Sequence, residues 1–142
     1  MDFSMRRFRF LEHPADVGFE AFGRTRQELF ANAARALTDL RVDLATVAAS
    51  EMVEITVSGP DWAGLIVNWL SEILYLEDAE NWLLCDFEFG EFGLGRLTAQ
   101  ARGETFDPAR HHLKGLVKAI TYHQLAIENQ GDFWRAQIFV DI

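Results

Sequence analysis

Apolar and polar side chains alternate along several stretches of the chain, a pattern typical of strands that bury one face. Between residues 7 and 11 this alternation places Phe8 and Phe10 on the same side, and residues 17–22 continue an extended pattern up to a glycine. Residues 51–58 show the clearest alternation, with valine and isoleucine between polar residues. The sequence therefore predicts three strands in its first half.

Two segments carry apolar residues at the helical spacing of three and four. The first follows a capping box formed by Thr25 and Glu28, in which each side chain can accept a free backbone N–H, and it is predicted to end near Asp43. The second begins after Asp61, a suitable N-cap residue. The two apolar stripes contain Leu29, Phe30, Ala33, Leu37 and Leu40, and then Trp62, Leu65, Ile66, Trp69, Leu70, Ile73 and Leu74.

After the second helix the chain shows strand patterns only. Residues 83–89 and 94–102 are predicted to form a hairpin around a turn at 90–93. The glycines of this turn suggest a phosphate-binding loop, but no helix start follows them, so a simple turn is favoured. Residues 118–127 and 133–142 are predicted as two further strands separated by a polar turn.

This order of elements predicts an α+β fold, with two helices packed on a largely antiparallel β-sheet. The 142 residues, 49% of them hydrophobic, suit a single domain spanning 1–142. No stretch approaches the roughly 18 to 20 apolar residues of a membrane span, and the first seven residues lack the apolar run of a signal peptide. A cytoplasmic protein without a membrane partner is therefore expected.

The charge balance restricts the classes of partner. The chain has 13 basic and 22 acidic residues, a formal net charge of −9. Tight, non-specific nucleic-acid binding depends on Lys and Arg, so direct RNA or DNA binding is not expected, whereas a basic protein or a metal ion suits an acidic surface.

The acidic end of the second helix is expected to be solvated: Glu77, Asp78 and Glu80. The tryptophans are expected in the core or at its rim, not as a base-stacking platform: Trp62, Trp69, Trp82 and Trp134.

A candidate metal site combines the two ends of the chain. Residues 12–18 contain proline and glycine, which favour a compact turn that presents Asp16. At the other end, Asp141 lies beside the terminal carboxylate of Ile142. If the last strand pairs beside the first, these hard oxygen ligands meet and suit a divalent cation. By themselves the residues leave open a turn-capping role for Asp16 and a solvated position for Asp141.

A zinc site built on histidines and a nucleophilic cysteine are less favoured than the carboxylate metal site. Adjacent histidines on a strand point to opposite faces and no pair has the helical spacing of four, so a zinc site is not favoured. His13 and His123 are instead expected to hydrogen-bond near the acidic site and orient its carboxylates. The remaining histidines are His111 and His112. The single cysteine, Cys85, has apolar neighbours and is predicted to be a buried thiol, not a nucleophile.

Four segments together resemble one known family. They are the turn His-Pro-Ala-Asp-Val-Gly at 13–18, the helix Trp-Leu-Ser-Glu-Ile-Leu-Tyr at 69–75, the strand Lys-Ala-Ile-Thr-Tyr-His at 118–123, and the ending Asp-Ile at 141–142. In this order and near this spacing they resemble the archease family over nearly the whole chain. One departure is Pro14, which stands where threonine is common in the family.

The resemblance implies a function and a set of site residues. Archease-like proteins are non-catalytic cofactors of RtcB-type RNA ligases in tRNA splicing and RNA repair, where they promote GTP-dependent guanylylation and repeated turnover. The resemblance implies a divalent cation, with calcium expected and magnesium or manganese possible, bound by Asp16, Asp141 and Ile142. Lys118 corresponds to the family's lysine, and an exposed sheet-edge lysine is the alternative interpretation of this residue. RNA is then contacted only through the ligase.

Two other function classes stay open at this stage. In a metal-dependent phosphoester hydrolase, Asp16 and Asp141 would hold the cation and His123 would act as general base. A chaperone-like module would instead act on several RNA-processing proteins. Hydrolysis by the isolated protein and the range of its partners distinguish these classes.

Overall fold

A computed structural model describes residues 6–11 and 17–142. In it the first two strands and the last strand belong to the same sheet. Within these ranges no helix is long and apolar enough to cross a membrane. The helices are α1 (Arg26–Arg41) and α2 (Trp62–Ala79), and a 3₁₀ helix spans Leu44–Thr46. The strands are β1 (Phe8–Leu11), β2 (Val17–Gly23), β3 (Glu51–Ser58), β4 (Trp82–Gly93), β5 (Arg96–Thr105), β6 (Ala119–Ile120), β7 (Ala126–Asn129) and β8 (Trp134–Asp141).

The described strands form two antiparallel sheets, and the fold is α+β as predicted. The larger sheet has the order β1-β2-β8-β6, with β7 also paired to β8, and the smaller one has the order β3-β5-β4. The inner face of the larger sheet contributes Phe19 and Ile138 to a core that they share with Leu37 of α1 and Trp69 of α2. All four of these side chains are fully buried.

Both helices start where the sequence predicts. The Thr25 hydroxyl accepts a hydrogen bond from the Glu28 N–H at 3.1 Å, and the Asp61 carboxylate accepts one from the Gly64 N–H at 2.7 Å. The Glu28 carboxylate accepts a hydrogen bond from the Arg24 N–H at 3.2 Å, one residue before the N-cap Thr25. The residues that follow these caps, Arg26 and Trp62, line one opening together with Trp134 at the start of β8.

Two predictions in the second half need correction. The β4–β5 hairpin turns at Leu94 and Gly95, not at residues 90–93, which belong to β4. Gly95 has a φ of 98°, a conformation that glycine adopts without strain, whereas the earlier glycines continue the strand. The predicted strand 118–127 is interrupted between β6 and β7, because Gln124 adopts a φ of 49° and a turn forms there.

Glu77 is buried and paired, whereas the sequence analysis expected it to be solvated. Its side chain is 2% exposed, and one carboxylate oxygen accepts hydrogen bonds from the Thr38 hydroxyl at 2.7 Å and the Leu84 N–H at 3.2 Å. Arg41 lies 3.6 Å from the other oxygen. Burial raises the pKa of Glu77 to about 7, against the opposing effect of these three partners. The residue ties α1, α2 and β4 together, while the other two acidic residues of this helix end are exposed.

A second buried carboxylate anchors the connection between β5 and β6. The His111 ring accepts the Asp107 N–H at its Nδ1, 2.9 Å away, so its Nε2 carries the proton and donates to Glu104 at 2.9 Å. Arg110 forms an ion pair with the same carboxylate, which also accepts the Ala48 N–H at 2.8 Å. Both ring nitrogens of this histidine are therefore engaged in holding the connection against β5.

We predict that Glu104 makes stability depend on pH in the acid range. The hydrogen bond from Arg110, reinforced by Ala48 and His111, lowers the pKa of Glu104 from 4.5 to about 2 although burial acts in the opposite direction. The ionised carboxylate therefore stabilises the fold above about pH 4.5, and this contribution is lost as the pH falls towards 2. Urea unfolding at a series of pH values should show the difference in unfolding free energy between wild type and Glu104→Gln shrinking over that range.

Glu88→Gln is the matched control, because Glu88 is exposed on the smaller sheet. Its unfolding free energy should follow the wild type across the same pH range. A constant difference between wild type and Glu104→Gln from pH 4.5 to 2 would contradict the assignment.

Candidate functional site

The start of β2 and the end of β8 meet at one corner of the larger sheet. In the antiparallel register Val17 lies opposite Val140, so Asp141 is one residue beyond this pair. The last strand therefore pairs with the second strand, and β1 lies on the far side of β2, which corrects the expected pairing with the first strand. We call Val17, Lys118, Val140, Asp141 and Ile142 the β2–β8 corner.

Two of the predicted site residues, His13 and Asp16, lie outside the described residues. Asp16 is bonded to Val17, which the structure places at the corner. The described residues therefore establish the position of the chain at Val17 and of Asp141 across the sheet. The shared metal site itself stays a prediction.

Lys118 reaches the corner through its main chain. Its N–H donates a hydrogen bond to the Asp141 carbonyl at 2.8 Å, and the next residue, Ala119, pairs with Asp141 in the β6–β8 register. The Lys118 side chain is exposed and lines a hollow of about 270 Å³ with Tyr75 and Asp78 of α2. Lys118 therefore lies beside the edge strand β6, and its main chain contacts that of Asp141; the role of its side chain stays a prediction.

The oxygen ligands at the corner are of the type that calcium and magnesium prefer. Asp141 and Ile142 are both exposed, and they offer a carboxylate and a main-chain oxygen. Calcium takes about six to eight oxygen ligands, and no group of three metal-binding side chains occurs among the described residues. The oxygen atoms at the corner are therefore of the right type for a hard cation but too few to bind one. Asp16, water or a partner would have to supply the remaining ligands.

Side-chain packing on the outer face of the larger sheet explains why residue 18 is a glycine. The ring of Phe139, from β8, covers this glycine so closely that an added Cβ would lie 2.7 Å from two of its ring carbons. The imidazole of His123 packs edge-on against the same phenyl ring, with centroids 5.8 Å apart. This contact places His123 on the outer face, and its expected role in orienting the carboxylates stays a prediction. Phe139 was not predicted, and the only sequence signal for it was the glycine at position 18.

Gly18→Ala is predicted to destabilise the protein by about 1–3 kcal/mol, because the added methyl group must displace the Phe139 ring. Gly93→Ala is the matched control, since an added Cβ at Gly93 meets nothing within 4 Å. Urea unfolding measures both variants. Equal stability of the two alanine variants would mean that the ring moves aside without cost.

Glu20, on the same outer face, is a carboxylate that the sequence analysis did not single out. It is 3% exposed and forms ion pairs with Arg9 and Arg135. Burial acts to raise its pKa, but the hydrogen bonds from the two arginines outweigh it and hold the pKa below the ordinary value. Asp141, in contrast, is exposed and has no ion pair among residues 6–11 and 17–142. Glu20 is a structural carboxylate, and Asp141 is available to a ligand.

Cys85 is half-buried, less enclosed than predicted. Burial raises the pKa of its thiol, and the neighbouring Asp86 carboxylate adds to this effect. Because the thiolate is the nucleophilic form, the raised pKa argues against a role in catalysis.

Comparison with known proteins identifies one family over most of the chain. The family described as "Archease protein family (MTH1598/TM1083)" matches residues 8–142. Protein archease of Methanosarcina barkeri is 38% identical over 144 residues, which cover 96% of this chain and 97% of the relative. Protein archease of Pyrococcus abyssi is 40% identical over 143 residues, covering 97% of this chain and the whole of the relative.

Solved structures show the same fold. The solution structure of protein 1598 from Methanobacterium thermoautotrophicum superposes with a TM-score of 0.79 at 31% identity, covering 96% of this chain and 99% of that one. A Thermotoga maritima crystal structure, whose title describes an archease and possible chaperone, gives a TM-score of 0.60 at 21% identity, covering 93% and 94% of the two chains. The second likeness is one of fold alone.

Proposed function

Because the chain belongs to the archease family, we propose that it is an accessory protein that activates an RtcB-type RNA ligase. In this role it promotes the ligase's GTP-dependent guanylylation and repeated turnover in tRNA splicing and RNA repair, and it catalyses no reaction itself. The observation that supports the proposal most directly is the β2–β8 register. It sets Val17, the residue bonded to Asp16, opposite Val140, so the two family motifs adjoin across one strand pair.

The proposed active element is an acidic calcium site at the β2–β8 corner. Asp16, Asp141 and the main-chain oxygen of Ile142 are its proposed ligands, and His13 and His123 are proposed to orient the carboxylates. The exposure of Asp141 and its lack of an ion pair among the described residues support this role. A bound cation would supply positive charge that screens the repulsion between the carboxylates and attracts phosphate oxygens.

The proposed partner is a ligase with a basic docking surface. A net charge of −9 favours association with a positively charged protein and disfavours direct contact with the RNA backbone. Lys118 is proposed to act beside the metal site, on the ligase or on its bound nucleotide. Its main-chain bond to Asp141 supports this assignment because it couples the lysine segment to the carboxylate strand.

Loss of either aspartate is predicted to abolish ligase stimulation. Asp16→Ala and Asp141→Ala should each lower multiple-turnover ligation, measured with purified ligase, GTP and a broken RNA, by at least about tenfold, the lower end of the effect of substituting even a residue that only orients a metal ligand. Asp132→Ala is the control, since Asp132 is exposed in the turn before β8, at the opposite end of that strand. Full stimulation by both site variants would refute the role of the acidic site.

The same preparation tests the hydrolase alternative. The isolated protein is expected to leave a chromogenic phosphoester intact in the presence of calcium, magnesium or manganese. Turnover that disappears in Asp141→Ala would instead assign hydrolysis to the corner.

Calcium binding is predicted independently of the ligase. Free calcium at about 100 times its dissociation constant stabilises the folded state by about 2.7 kcal/mol, which raises the melting temperature by about 5–10 °C for a chain of this size. Asp141→Asn should lose this rise, because it removes a charged ligand while keeping the side chain's shape. An equal rise in Asp141→Asn and wild type would place the ion elsewhere.

A further inference from the structure

A cleft lies at the end of β8 opposite the β2–β8 corner. The first residues of α1, α2 and β8, which are Arg26, Trp62 and Trp134, converge there with the last turn-side residues of β4. Their side chains surround an open volume of about 440 Å³. Trp134 and Asp141 are seven positions apart along β8, a distance of about 23 Å at the usual rise per residue. We call this opening the tryptophan cleft.

Arg26 is clamped between two indole rings. Its guanidinium carbon lies 4.3 Å from the ring centroid of Trp62 and 4.3 Å from that of Trp134. Trp62 is itself held by Phe92, stacked at 5.7 Å, and by Phe30, edge-on at 6.3 Å. The guanidinium is therefore fixed in place before any ligand arrives, so little side-chain freedom remains to be lost on binding.

The positive charge of the cleft has no ion-pair partner among the described residues, although the Glu28 carboxylate, in the first turn of α1, accepts the main-chain N–H of Arg24 at 3.2 Å. Within the described part of the chain, neither Arg26 nor the neighbouring, exposed Arg24 forms an ion pair with a carboxylate, and the buried Nε of Arg26 has no hydrogen-bond acceptor. By contrast, Arg9, Arg110 and Arg135 each contact an acidic residue. Two unpaired guanidinium groups in a chain with 22 acidic residues make this cleft a local exception to the charge of the protein.

We propose that the tryptophan cleft docks an acidic segment of a partner protein, with a carboxylate against Arg26 and Arg24 and an apolar side chain against the tryptophan rings. A guanidinium fork binds a carboxylate through two parallel hydrogen bonds, and Trp and Arg are the residues that dominate binding energy at protein interfaces. A nucleic acid fits less well, because its charge repeats at every nucleotide and two cations cannot offset the repulsion between such a polyanion and a protein of net charge −9, whereas the proposed segment needs only one carboxylate at the cleft.

This inference goes beyond the proposed function, since it concerns a surface that holds none of the proposed metal ligands. The cleft and the β2–β8 corner lie at opposite ends of β8, so one chain can contact two positions on a partner, or two partners, at once. The two sites are therefore testable separately.

The test is an NMR titration of the full-length ¹⁵N-labelled protein with three probes. They are a blocked hexapeptide of alternating Asp and Leu, the same peptide with Asn for Asp, and hexauridylate. The Asp–Leu peptide should shift the indole N–H signals of Trp62 and Trp134 saturably at millimolar concentration or below. The Asn–Leu peptide should bind about tenfold more weakly, because it forms no charge-assisted hydrogen bond.

Substitutions locate the interaction. Arg26→Gln and Arg24→Gln should each weaken binding of the Asp–Leu peptide, with Arg24→Gln as the variant that leaves the ring packing intact. Arg102→Gln removes the same charge from an exposed position on the smaller sheet and should bind like the wild type. Asp141→Ala should also bind the peptide like the wild type. A failure of the proposed metal site can therefore be distinguished from a failure of the proposed cleft.

Several results would overturn the proposal. Equal affinity for the Asn–Leu peptide would show that the cleft recognises apolar groups alone, and tighter binding of hexauridylate would show that it takes nucleic acid. No saturable shift with the Asp–Leu peptide, or an unchanged affinity in both arginine variants, would show that the cleft is not a docking site for acidic segments.

Discussion

The pairing of β2 with β8 is the constraint on which the rest of the structure depends. It joins segments as far apart in sequence as Glu20 and Arg135, which are separated by 115 positions. Closing so long a loop costs conformational entropy, and the buried inner face of the two strands offsets it through Phe19, Ala21 and Ile138. The outer face is then fixed as a consequence, because alternate residues of a strand point in opposite directions.

The acidic residues of the protein fall into two groups, buried carboxylates with partners and exposed carboxylates. The buried carboxylates Glu20, Glu77 and Glu104 each have an arginine within ion-pair distance and further hydrogen-bond donors. A buried charge without such partners would be strongly destabilising, so each of these residues has a structural role. Asp141 differs in being exposed and unpaired among the described residues, which is the condition under which a carboxylate can bind a ligand.

The two ends of β8 present opposite chemistry. At its last residue the strand offers the oxygen atoms of the β2–β8 corner, and at its first residue Trp134 helps to clamp the Arg26 guanidinium. Because β8 is the central strand that pairs with β2, β6 and β7, both ends are held by the same rigid element. The proposed metal site and the tryptophan cleft are therefore held at a fixed separation by one strand.

Local pattern determined much of the fold from the sequence alone. The helix starts at Thr25 and Asp61, the buried stripes and the strand 51–58 follow from residue types within a few positions of one another, and the structure confirms them. The family motifs likewise identify the family, and they include Asp141 and Lys118, whose main chains are hydrogen-bonded in the structure.

Only the tertiary structure decided the features that depend on distant partners. The sequence analysis predicted one sheet and a solvated Glu77, whereas the strands divide into two sheets and Glu77 is buried against Thr38 and Arg41. The packing of Phe139 over Gly18 and the position of Arg26 between two tryptophans likewise do not follow from the sequence. The physical reason is common to all of them: periodicity reports which side of an element is apolar, whereas the partner of a charge or a ring is set by which elements the folded chain brings into contact.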